Sequence, residues 1–103
     1  MSGFVPHPEA LADLEEIWEY IGADDLDAAD HVPKQLYEAI HGLVSFPQQG
    51  HRRSDLTARP LRFQSVRDFL IAYAPDEQPL LVVAVLHGRR NPRVIAALLR
   101  KRE

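Results

Sequence analysis

From Glu9 to Ile21 the apolar residues Leu11, Leu14, Trp18 and Ile21 recur at three- and four-residue steps, and Ile17 widens the stripe. Glu15, Glu16 and Glu19 fill the other side. A helix turns once in about 3.6 residues, so this spacing predicts an amphipathic helix with Trp18 on its buried face. Pro6 and Pro8 bracket its start, and Gly22 is placed to stop it. Asp24, Asp25 and Asp27 then offer N-caps for a second helix, in which Ala29, Val32, Leu36, Ile40 and Leu43 line one face as far as about Phe46. Pro33 lacks a backbone donor and should clash with the carbonyl of Ala29, which predicts a kink or a delayed start. Two helices joined by a short acidic loop make a helical hairpin.

The second half changes period. Residues 46–56 are rich in turn formers and read as a loop. In residues 61–66, Leu61, Phe63 and Ser65 alternate with Arg62, Gln64 and Val66, the pattern of a half-exposed strand. Phe69–Ala74 is apolar on both faces, residues 75–79 turn the chain, and residues 80–86 are apolar throughout, as in a central strand covered on both sides. Phe4 and Val5 read as a short opening strand, and residues 93–101 as a short helix with Val94, Ala97 and Leu98 on one side. The sum is an α+β fold, a helical hairpin packed on an antiparallel sheet in β-α-α-β-β-β order with a short C-terminal helix. Residues 1–103 are expected to form one domain around one core.

Composition narrows the chemistry. There is no cysteine, so neither a disulfide nor a thiolate metal site is available, and no two of the five histidines have the i, i+4 spacing of a helical zinc motif. No metal and no cofactor are expected. Residues 1–7 lack the basic and apolar regions of a signal peptide, and residues 80–86 are too short to span a bilayer. The reading is a cytoplasmic protein with no membrane partner. The formal charge of −3 conceals an asymmetry: residues 1–50 carry ten acidic side chains against Lys34, a net −9, and residues 51–103 carry eleven basic against five acidic, a net +6. That separation predicts an acidic face and a basic face, the latter suited to an acidic protein or to phosphates. Solvated acidic helices beside Arg-bearing strands would give the same count.

The run from Pro8 to Ile21 resembles the first helix of ParE/RelE-type toxins. Ala28, Ala29 and Asp30 with Leu36-Tyr-Glu-Ala-Ile40, then Phe46, Pro47 and Gly50, resemble their second helix and its exit. Phe63 with Val66-Arg-Asp-Phe-Leu-Ile-Ala-Tyr73 is similar to their paired middle strands, and Val83 with Val85-Leu-His-Gly-Arg-Arg90 to their last strand. Each motif is mostly core pattern; their order along nearly the whole chain carries the resemblance. It implies the toxin of a type II toxin–antitoxin pair, of plasmid-stabilisation type, neutralised by a cognate antitoxin.

The superfamily holds two activities. RelE-like members cleave messenger RNA on the ribosome, which requires a base for the 2′-hydroxyl, an acid for the leaving oxygen and cations for the phosphorane. Here residues 91–103 contain no Tyr, His or Asp, and guanidinium is a poor proton shuttle. Were the chain a metal-independent endoribonuclease, Arg62, Arg67, Tyr73, His87 and Arg89 would be its candidates. Tyr73 reads equally as core and His87 as a structural strand end. ParE-like members, which this chain resembles more closely, bind and inhibit DNA gyrase and so require an interface and no general base. Arg89, Arg90, Arg93, Arg100, Lys101 and Arg102 are the expected target-binding residues; a solvated, frayed tail is the alternative. Arg62 and Arg67 are expected to meet the antitoxin on the sheet. Sequence-specific nucleic-acid binding is not expected, because the chain is net negative and poor in stacking aromatics. A non-toxic orphan binding module of the same fold is the remaining reading.

Overall fold

The computed structural model describes residues 3–24 and 26–102, and side chains outside positions 22–30. The elements are β1 (Phe4–Pro6), α1 (Pro8–Asp24), α2 (Leu26–Ser45), β2 (Arg62–Val66), β3 (Phe69–Ala74), β4 (Leu80–His87) and α3 (Pro92–Lys101). The class and order are the expected ones, with α3 a full helix. Helix α1 runs two residues past Gly22, and α2 continues through Pro33 without a delayed start. The capping roles suggested for Asp24, Asp25 and Asp27, and the place of Ala29 on the α2 face, lie outside the described residues and side chains.

The strands lie in the order β1-β4-β3-β2. Strands β2, β3 and β4 are antiparallel, whereas β1 joins β4 in parallel through Phe4↔Leu80 to Pro6↔Val82, so the sheet is mixed. The β2–β3 hairpin turns at Arg67 and Asp68, with Arg67 at φ 53°, the left-handed geometry that matches strand twist. Between β3 and β4 the register slips: Ala72 faces Ala84 and Tyr73 faces Val82, leaving Val83 as the extra residue of a bulge.

Both faces of the sheet are covered. On one side α1 and α2 bury Ala10, Leu14, Val32, Leu36, Ile40 and Leu43 against Phe4, Ile71, Tyr73, Val82 and Val85. On the other, Ile95 and Leu99 of α3 and Leu56 of the loop cover Phe63, Leu70, Ala72, Ala84 and Leu86. This second layer explains why β4 is apolar throughout. Two expected faces are corrected. Trp18 is 53% exposed and Leu11 is exposed too, because the buried line of α1 runs through Ala10, Leu14, Ile17 and Ile21. In α3 the buried pair is Ile95 and Leu99, and Val94 is 51% exposed.

Candidate functional site

The cations expected to bind the target are strung along the turn after β4 and along α3. His87 stacks edge-on against Phe69 (ring centroids 5.6 Å apart), and its Nδ1 accepts the Arg89 N–H at 3.3 Å. The Arg90 N–H returns to the His87 carbonyl at 3.2 Å. The turn is thereby set by His87 while Arg89 and Arg90 point to solvent. Asn91 caps α3 by accepting the Arg93 N–H at 2.9 Å, and Pro92 takes the first helical position, where its missing donor costs nothing. Arg93, Arg100 and Lys101 are exposed. Arg89 lies 3.8 Å from Asp68, both well solvated, so the pair is weak. Among the described residues Arg90, Arg93, Arg100 and Lys101 make no ion pair.

Arg102 does not belong with them. Its side chain is 6% exposed, and its guanidinium forks onto Asp13: Nη1 to Oδ2 at 2.5 Å and Nη2 to Oδ1 at 3.0 Å. Nε reaches Glu9 at 2.9 Å, and Nη1 also donates to the Val83 carbonyl at 3.3 Å. Asp13 accepts the Val85 N–H at 3.0 Å. Strand β1 stops at Pro6, opposite Val82, so these side chains occupy backbone groups of β4 just beyond the end of its partner strand. The hydrogen-bonded carboxylate of Asp13 raises the Arg102 pKa, against the opposing effect of burial. Arg102, expected among the target-binding cations, is instead buried in an ion pair, and a solvated tail does not describe it either. The signal for it was its spacing: Ile95, Leu99 and Arg102 fall at i, i+4, i+7 and share a face of α3. Arg59, which sequence reading passed over, donates to the Leu99 carbonyl at 3.1 Å and so caps the same helix.

The ribonuclease candidates separate into two groups. Tyr73 is fully buried; its hydroxyl donates to the Pro47 carbonyl at 2.7 Å and accepts the Gly50 N–H at 2.9 Å. Burial raises its pKa, against smaller opposing effects of the Gly50 N–H and the Arg62 charge. Arg62, opposite Tyr73, donates to the Gly50 carbonyl at 2.7 Å and, more weakly, to that of Gln48. Arg67, His87 and Arg89 lie at the other end of β3, where Phe69 faces His87; four residues of strand are about 13 Å. Arg67 donates to the Gln35 side chain. Tyr73 thus anchors the loop and cannot shuttle a proton to solvent-borne substrate, which corrects its candidacy.

Beside these cations lies a groove of about 510 Å³ between the start of α1 and α3, lined by Glu9, Arg93, Val94, Ala97, Leu98, Lys101 and Arg102. A helical hairpin lies on one face of the sheet, the α+β arrangement expected of the small toxins that the sequence resembles, and a cationic helix covers the other face. The family model described as the ParE toxin of the type II toxin–antitoxin system, parDE, matches residues 4–92. A relative named "Putative toxin Y4kP", from Sinorhizobium fredii (strain NBRC 101917 / NGR234), is 31% identical over 93 residues, covering 84% of this chain and 88% of its own. The chain belongs to the ParE toxin family, whose members work with an antitoxin partner. The match ends at Pro92, where α3 begins, so the groove is read from this structure alone. Among the described residues no helix is long and apolar enough to cross a membrane.

Proposed function

We propose that this toxin arrests growth in the cytoplasm by binding and inhibiting DNA gyrase through Arg89, Arg90, Arg93, Arg100 and Lys101, and that a cognate antitoxin neutralises it. The observation that carries the reading is the exposure of these five cations on one turn and one helix, free of strong ion pairs among the described residues. An inhibitor that acts by occupancy needs such an interface, and Arg is among the commonest interface hot spots. Tyr73, the phenol among the ribonuclease candidates, is buried and committed to the Pro47 carbonyl, which weighs against the ribonuclease reading.

Repressed expression followed by induction tests it. The chain alone is expected to cause filamentation and a DNA-damage response with messenger RNA intact, and purified protein to inhibit gyrase supercoiling. Arg89→Ala with Arg90→Ala should abolish arrest while changing stability by less than about 0.5 kcal/mol per site, as exposed substitutions usually do. Ribosome-dependent cleavage of transcripts would reject gyrase as the target, and full toxicity in the well-folded double variant would move the toxic surface elsewhere.

A further inference from the structure

The groove between α1 and α3 is apolar along its floor and cationic at its rim. Val94, Ala97, Leu98 and Lys101 follow i, i+3, i+4, i+7 spacing, the seam by which one helix receives another. Two turns of helix span about 10 Å, so the seam matches two turns of a docked segment. Arg93 and Lys101 flank it without an ion pair among the described residues. Its single carboxylate, Glu9, is already held 2.9 Å from Arg102. The groove therefore combines exposed apolar surface with unneutralised positive charge, and its complement is an apolar stripe bordered by carboxylates.

We infer that this groove binds an acidic, amphipathic segment of the antitoxin, with apolar side chains on Val94 and Leu98 and carboxylates on Arg93 and Lys101. The inference rests on the reading of the chain as a neutralised toxin. It adds a cause for neutralisation: Arg93 and Lys101 are among the cations assigned to gyrase, so the antitoxin covers the toxic surface directly. It also moves the antitoxin away from Arg62 and Arg67, whose guanidinium groups serve the 48–50 loop and Gln35. The Asp13–Arg102 pair is the device that sets α3 against α1 and so forms the groove.

Two synthetic helical peptides of about 16 residues, long enough to populate a helix, test the chemistry. They share one leucine stripe, flanked by glutamates in one and lysines in the other, and are titrated into the isotope-labelled full chain. The acidic peptide should shift amide signals of residues 93–101 first, bind at least about tenfold tighter than the basic one, and weaken as salt is raised. Val94→Glu and, separately, Lys101→Glu should each weaken it by about tenfold, since both side chains are exposed and the fold does not depend on them. Equal binding of the two peptides, shifts centred on Trp18 and Tyr20, or occupation of the groove by a second copy of the chain would overturn the inference. In cells, Val94→Glu should remain toxic and escape the cognate antitoxin; a toxic variant still fully neutralised would also overturn it. A chain that fails to arrest growth at all, yet binds the acidic peptide at the groove, would defeat the proposed function and not the groove's chemistry.

Discussion

At Tyr73 one hydroxyl closes a loop. It bridges the Gly50 N–H and the Pro47 carbonyl, and the approach is so close that a Cβ on Gly50 would stand 2.6 Å from the phenol oxygen. Glycine is required there for space. Tyr73→Phe leaves both backbone groups without that partner and should cost about 1–3 kcal/mol, measured by urea unfolding. Because burial raises the Tyr73 pKa in the folded state, its contribution is fully present below the unfolded value near 10 and is lost as pH rises through the folded value. The parent should therefore lose stability above about pH 10 more steeply than the Phe variant; parallel alkaline limbs would refute this. Trp18 is the opposite case. Half its surface is solvated, so Trp18→Ala should melt within a few degrees of the parent, where truncating a buried Trp would cost about 3–5 kcal/mol. A drop of more than about 10 °C would place the indole in the core after all.

Among the elements, the strands were the most legible and the faces of the helices the least. Alternation in residues 61–66 and the unbroken apolar run from Leu80 fix β2 and β4 within a residue, since a strand shows its pattern in every second side chain. A helix spreads the same information around a circle, and large apolar residues on the flank can mislead. In α1, Ala10 lies on the buried line and Leu11 and Trp18 lie beside it; in α3, Arg102 occupies the line begun by Ile95 and Leu99. Small size in one case and charge in the other hid the true face. The parallel pairing of β1 was not legible at all, because three residues carry no period and their partner is remote in sequence. Of the candidate site, the exposed cations were visible as charge, whereas the grip of Asp13 on Arg102 required the fold to bring them together.

Across the whole molecule that grip joins the first helix to the residue after the last one. Removing one partner of a buried ion pair leaves the other uncompensated and typically costs about 3–5 kcal/mol, a large share of the roughly 5–15 kcal/mol such a domain has. Arg102→Ala, like deletion of residues 100–103, should therefore lower the urea midpoint strongly. A truncated chain of parental stability would show that the pair is dispensable. Loss of target binding on that deletion would reflect a displaced α3 as well as missing surface charge. The parallel strand has a consequence of another kind, in time. Phe4 finds its partner only at Leu80, 76 positions later. At about 5–20 residues per second the ribosome takes roughly 4–15 s to supply that partner. In the later part of that interval, once Ser45 has been made, α1 and α2 exist without the complete sheet that buries their apolar face, so the nascent hairpin is sticky before the toxin is complete.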